Sequence, residues 1–89
     1  MYYTYIIYSR KLKKFYIGST EDLKDRIIQH NKKNVPFTSR GIPWMLIYYE
    51  AFVEKEDALC EERFLKTGKG RERRKILLGE FLKKLSERC

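Results

Sequence analysis

The chain opens with an uncharged run in which β-branched and aromatic side chains dominate, Tyr2 through Tyr8. Such a run favours a strand. Alternation places Tyr3, Tyr5 and Ile7 on one face and Tyr2, Thr4, Ile6 and Tyr8 on the other. A polar break from Arg10 to Lys14 has hairpin length. Phe15-Tyr16-Ile17 then resumes a short strand that ends at Gly18. Two strands so close in sequence are expected to pair antiparallel.

Ser19-Thr20-Glu21-Asp22 has the form of a capping box and predicts a helix from about Glu21 to Lys33. A polar, turn-rich stretch follows from Asn34 to Pro43. Trp44 to Phe52 is the strongest strand signal. Both of its faces are apolar or aromatic, which predicts a central place in the sheet. A second helix is expected from about Lys55 to Thr67, with Gly68 as its C-cap. A third runs from about Arg71 to Glu87, with Leu77, Leu78, Phe81, Leu82 and Leu85 on one face. The pattern predicts an α+β fold: a small three-stranded antiparallel sheet flanked by helices, in the order β-β-α-β-α-α.

The length of 89 residues suits one domain, residues 1–89. Hydrophobic residues make up 43% of the chain and aromatics 15%, enough for a small packed core and unlike a disordered segment. A net charge of +8 points to a polyanionic partner, with nucleic acid first among them. Two cysteines, Cys60 and Cys89, supply neither a disulfide framework nor a four-ligand zinc site, and a reduced cytoplasmic setting is expected. No stretch is long and apolar enough to span a bilayer, and the first eight residues read as a strand rather than a signal peptide.

The informative positions are polar residues that share an apolar face. In the first helix, Leu23 and Ile27 mark the buried stripe, and Arg26 and His30 lie side by side at its edge. An arginine beside the chain's one histidine can hold a phosphate and handle a proton. Two residues snorkelling over the core edge would give the same pattern. In the second helix Ala58, Leu59 and Leu65 define the inner face, with Glu62 among them and Glu61 nearer the edge. A carboxylate there needs a partner. Lys66, four residues on, could supply an ordinary ion pair, and a hard divalent cation is the functional alternative. Lys66, Lys69, Arg71, Arg73, Arg74 and Lys75 cluster around the turn into the last helix, a candidate contact for phosphate backbone. Positive charge at a helix start opposes the helix dipole, which argues for a use.

Taken in order, these residues resemble the GIY-YIG nucleases. Tyr16-Ile17-Gly18 matches the second half of the family's name, and Tyr5 stands eleven residues earlier at the tyrosine of the first half. The first half reads Tyr3-Thr4-Tyr5, without the family's glycine. The segment from Thr20 to Arg26, then His30-Asn31, then Pro43 to Glu50 and Ala58 to Lys66, continue the likeness, which covers about residues 2–75. His30-Asn31 is similar to the small stand-alone branch, and the whole resembles the catalytic part of the bacterial excision-repair nuclease.

The resemblance implies an endonuclease that hydrolyses DNA phosphodiesters, in repair or in processing of branched or damaged DNA, with one divalent metal, Mg²⁺ or Mn²⁺. By position, Glu62 would hold the metal. Tyr5 would act as general base or position the attacking water. Tyr16 would hydrogen-bond within the site, Arg26 would steady the scissile phosphate, and His30 would assist deprotonation or orient Tyr5. The alternative is a non-catalytic nucleic-acid-binding module that keeps the fold. A footprint this small leaves specificity to a protein partner or to homodimerisation.

Overall fold

The computed structural model describes residues 1–32 and 35–87. The expected helix end at Lys33, the start of the turn-rich stretch at Asn34 and the thiol of Cys89 lie outside these. The elements are β1 (Tyr2–Ser9), β2 (Lys14–Thr20), α1 (Leu23–Asn31), a 3₁₀ turn (Pro36–Gly41), β3 (Trp44–Phe52), α2 (Lys55–Leu65), α3 (Gly68–Leu77) and α4 (Gly79–Glu87). The fold is α+β, with a three-stranded antiparallel sheet and flanking helices.

The strand order is β2-β1-β3. This corrects the expectation for Trp44 to Phe52: β1 is central and β3 lies at an edge. The apolar run of β3 has another cause. Its register with β1 shifts between Ile6, opposite Tyr48, and Ile7, opposite Leu46. The extra residue, Ile47, packs with Tyr48 in one core cluster while Leu46 joins the other. A bulge of this kind breaks strict alternation and makes an edge strand look buried on both faces.

The alternation read along β1 holds. Ile6 packs with Ile17, Leu65 and Leu78 on the α2–α4 side. On the same side Tyr8 stacks on Phe15 and Phe81. Tyr5 and Ile7 pack with Trp44, Leu23 and Ile27 on the α1 side. Ile6 and Ile7 are fully buried, each contributing about 1.5–3 kcal/mol of transfer free energy.

Three local expectations are revised. β2 continues past Gly18, because Ser19 and Thr20 pair with Thr4 and Tyr3. The helix cap is therefore Asp22, whose side chain accepts from the Asp25 backbone N–H at 3.0 Å. Gly68 is the first residue of α3 rather than a C-cap. Thr67 serves both helices there: its hydroxyl donates to the Phe64 carbonyl at 2.6 Å and accepts from the Gly70 N–H at 3.1 Å. The last helix is two helices, broken at Leu78 and Gly79. Glycine is a poor helix interior residue, and the break lets Leu78 sit 5% exposed in the core while Phe81 and Leu82 return to the sheet.

Where α2 meets β3, Glu61 lies against Glu50, and Glu50 Oε1 is buried without a hydrogen-bond partner among the described residues. Hydrogen bonding with Glu50, burial and the charge of Glu50 push the Glu61 carboxyl up to about 7. Arg73 Nε stands 3.9 Å from Glu61 Oε2 and opposes that rise.

Two predictions follow from this packing. A Cβ on Gly70 would run into the Phe64 carbonyl and the Leu65 Cα. Gly70→Ala is therefore expected to cost about 1–3 kcal/mol in chemical denaturation. A carboxyl raised above its unfolded value loses stability as pH rises from its unfolded pKa through its folded one. Glu61→Gln should therefore gain on the parent progressively between pH 4.5 and about 7 and stay level above that. Denaturation curves across that range check it, and a constant difference at every pH would refute it.

Candidate active site

Tyr5 projects from the middle of the central strand, 1% exposed, directly opposite Gly18. A Cβ at Gly18 would lie 2.5 Å from the Tyr5 hydroxyl oxygen, so the ring can lie over β2 only because that residue is glycine. Tyr16 lies on the same face, with its ring centroid 5.1 Å from that of His30.

His30 is completely buried, which removes the reading of a solvated histidine. Its Nε2 is 2.7 Å from the Tyr5 hydroxyl and its Nδ1 is 2.8 Å from Thr38 Oγ1. Thr38 in turn donates to the Val35 carbonyl at 3.3 Å. A hydroxyl that spends its proton on a carbonyl must accept from the imidazole. The network therefore assigns the proton of His30 to Nδ1 and leaves Nε2 to accept from the Tyr5 O–H. Burial, reinforced by the Arg26 charge, lowers the His30 pKa to about 4, so the ring is neutral at pH 7.

Arg26, one turn before His30 on α1, lies beside the Tyr5 and Tyr16 phenols, and hydrogen bonding with Tyr5 is the largest cause that raises its pKa. Its Nε is buried without a partner among the described residues. Burial is the main cause that pushes the Tyr5 pKa up to about 12; the Arg26 hydrogen bond and charge oppose it, and the charges of Tyr16 and Glu62 add to it.

Glu62 approaches from α2. Its Oε1 accepts from Ser19 Oγ at 2.7 Å and its Oε2 from Lys66 Nζ at 2.8 Å. Burial raises its pKa, but the hydrogen bonds from Lys66 and Ser19 outweigh that and hold it below the ordinary carboxylate range. The Lys66 ion pair open to Glu62 in the sequence is therefore formed. Ser19 pairs with Thr4, on the α2–α4 face, whereas Tyr5 and Tyr16 lie on the α1 face. The site thus straddles the edge strand β2, and Glu62 acts on Tyr5 through its field rather than by a direct bond. Among the described residues no three His, Cys, Asp or Glu side chains gather into a metal cluster. A single ionised carboxylate with 21% of its side chain exposed still suits Mg²⁺, which commonly takes one or two protein carboxylates and completes its shell with water and phosphate.

Tyr5, Tyr16, Arg26 and His30 are in mutual contact, with Glu62 across the strand. The basic residues are divided. Lys66 is tied to Glu62, Arg73 stands beside Glu61, and Lys69 is exposed. Arg71, Arg74 and Lys75 face the β1–β2 turn. Sequence reasoning missed Thr38 and the role of Ser19. Thr38 sits in a turn stretch with no periodicity, and its carbonyl is held by the Trp44 indole N–H at 2.6 Å, a partner no local pattern reveals. Asn31, next to His30, locks the start of β3 by bonding both backbone groups of Trp44, at 2.6 and 3.1 Å.

The GIY-YIG catalytic domain model matches residues 1–75. A UPF0213 protein of Lacticaseibacillus paracasei is 43% identical over 49 residues, 54% of this chain and 55% of that protein. A UPF0213 protein of Streptococcus pyogenes serotype M5 is 42% identical over 60 residues, 66% of this chain and 65% of that protein. The matched part thus spans less than two thirds of either relative's length. No solved structure matches. No helix among the described residues is long and apolar enough to cross a membrane. With the family model covering most of its length and its two signature tyrosines packed around one buried histidine, the chain belongs to the GIY-YIG nuclease family.

Proposed function

We propose that residues 1–89 form one domain that acts as a divalent-metal-dependent endonuclease on DNA, in the repair or processing of branched or damaged substrates within a reducing cytoplasm. The observation that carries this reading is the buried chain Tyr5–His30–Thr38 beside Arg26, with the ionised Glu62 across β2.

Glu62 would hold one Mg²⁺ or Mn²⁺, which supplies Lewis-acid neutralisation of phosphate charge and activation of water. Arg26 would meet the charge that builds on the phosphate during attack, its Nε being free of any partner among the described residues. Tyr5 is a poor base at rest. With Tyr5 at about 12 and His30 at about 4, full transfer of its proton to His30 costs on the order of 10 kcal/mol. The site therefore rests with a neutral phenol that donates to His30. The Tyr5 oxygen keeps a lone pair for the attacking water once the Arg26 bond is counted. As the water oxygen bonds to phosphorus and the bond from phosphorus to the leaving ester oxygen breaks, the water proton passes to Tyr5 Oη while the Tyr5 proton moves to His30 Nε2, and the leaving oxygen takes a proton from solvent. No free phenolate accumulates, and His30 ends the step as an imidazolium with Nδ1–H on Thr38. Tyr5 thus positions the water and relays its proton, Tyr16 helps hold Arg26, and Thr38 is a positioning residue that sets the His30 tautomer.

A second reading is favoured by one observation: Ser19 and Lys66 occupy both oxygens of Glu62. A binding module that keeps the fold would leave that pair closed. It would bind DNA with a steep salt dependence and show no turnover.

Purified protein with Mg²⁺ or Mn²⁺ is expected to cut at least one member of a panel of duplex, flap, nicked and branched DNA. Glu62→Gln should abolish cutting while the thermal midpoint stays within a few degrees of the parent; undiminished cleavage would remove Glu62 from the mechanism. Thr38→Val should lower kcat by about 100-fold, the lower end of what a positioned proton-transfer group contributes, with KM little changed. Thr38→Ser should restore most of it, and equal activity of Val and Ser variants would refute the tautomer role.

A further inference from the structure

The β1–β2 turn and α3 face each other across a cleft of about 420 Å³. Its rim carries Lys13 from the turn, Lys14 from the start of β2, and Arg71, Arg74 and Lys75 from α3, with no carboxylate among the lining residues. Its floor is apolar, made by Phe15, Leu78 and Leu82. Phe15 is half-buried and backed by Tyr8, their ring centroids 4.9 Å apart. Five like charges around one opening repel one another and call for a polyanion. Arg74 adds an independent sign, since its Nε is buried with no partner among the described residues, and buried donors are normally satisfied. Burial and the charge of Arg71 hold the Arg74 pKa below its ordinary value, and among the described residues no carboxylate pairs with it.

The floor narrows the class of anion. Phosphate alone would use only the charged rim, whereas an unstacked base also has an apolar face to lay on the part of this core edge that opens into the cleft. The cleft also shares a sheet face with Glu62. Phe15, Ile17 and Ser19 point to the same side of β2, opposite Tyr8, Ile6 and Thr4. Four residues of strand separate Phe15 from Ser19 by about 13 Å, a span of about four nucleotide steps at 3.4 Å each. A strand lying along β2 would therefore reach both places.

We propose that this cleft is a nucleic-acid subsite that holds an unstacked base of a single-stranded segment on Phe15, Leu78 and Leu82 while Arg74 and its cationic neighbours take the adjoining phosphates. The placement of that strand relative to Glu62 rests on the nuclease reading; the subsite itself does not. It identifies single-stranded character, at an end, flap or distorted duplex, as the feature of the substrate that this chain recognises.

The test is equilibrium binding of a short single-stranded oligonucleotide carrying 2-aminopurine, in EDTA so that no cleavage intervenes. The parent should bind and alter the 2-aminopurine fluorescence. Phe15→Leu should weaken binding by about tenfold, the scale of one lost stacking contact, with the salt slope unchanged. Arg74→Gln should weaken it and flatten the dependence of log K on log salt by about 1. An oligonucleotide with abasic positions should bind the parent less well than the intact one but bind Phe15→Leu almost equally. Lys83→Gln, exposed and outside the cleft, serves as the control. If Arg74→Gln unfolds by circular dichroism, Lys14→Gln probes the same rim. Equal affinity of the parent for abasic and intact strands would overturn the base subsite and leave a phosphate patch. Unchanged affinity in the folded rim variant would overturn it altogether. Base-dependent binding by a protein that never cuts DNA would instead sink the nuclease reading and leave the subsite standing.

Discussion

β1 exchanges backbone hydrogen bonds along both edges, antiparallel to β2 on one side and to β3 on the other. Residues Thr4 to Ser9 are all buried as a result, and each of the two core clusters is seeded by its side chains. A central strand has no free edge, so its alternation must serve two layers at once. Ile6 and Tyr8 anchor the α2–α4 layer, while Tyr5 and Ile7 anchor α1 and Trp44. Tyr5 is thus a core residue first. Its hydroxyl reaches His30 because Gly18 leaves room for the ring.

The fully buried Thr4, Tyr5, Ser9, His30 and Thr38 each have a hydrogen-bond partner. Thr4 donates to the Ala58 carbonyl at 2.7 Å, and the Tyr5, His30 and Thr38 groups satisfy one another in series. Breaking such a chain at one member strands the next in a low-dielectric interior, which costs more than the lost bond alone. Burial also decides the charge states. It raises Tyr5 and lowers His30, so both are neutral at pH 7, while Arg26 and Glu62 keep their charges at the margin. The arrangement has neutral groups inside and charges of both signs at the margin, on either side of the edge strand β2.

The excess positive charge is divided by the fold. Lys66 and Arg73 stand against Glu62 and Glu61, so part of the basic run on α2 and α3 is neutralised internally. Arg71, Arg74 and Lys75 instead meet Lys13 and Lys14, from the turn and the start of β2, far away in sequence. Lys13 adopts a φ of 54°, a left-handed conformation that a lysine seldom takes. A cluster that looked continuous along the chain is therefore two features in space.

The local code of the chain was enough for the strands, their faces, the α+β class and the family. Each of these depends on side-chain type at period 2 or 3.6, or on fixed spacing between Tyr5, Tyr16, Arg26, His30 and Glu62. Long-range contacts decided the rest. The edge position of β3 depends on which strand pairs with β1 on its free side, and the bulge at Ile47 disguised it. The break at Leu78 and Gly79 depends on where the core ends, and the shared cap at Thr67 on how closely α2 and α3 approach. Ser19 passed for a helix cap until β2 proved longer and brought it to Glu62. Thr38 acquires its meaning from His30 and Trp44, residues on other elements. The sequence by itself determined which residues are candidates for the chemistry, Tyr5, Tyr16, Arg26, His30 and Glu62. Only the tertiary structure decided which of them meet, because hydrogen bonds and charges act at a few ångströms in space and the chain records only order.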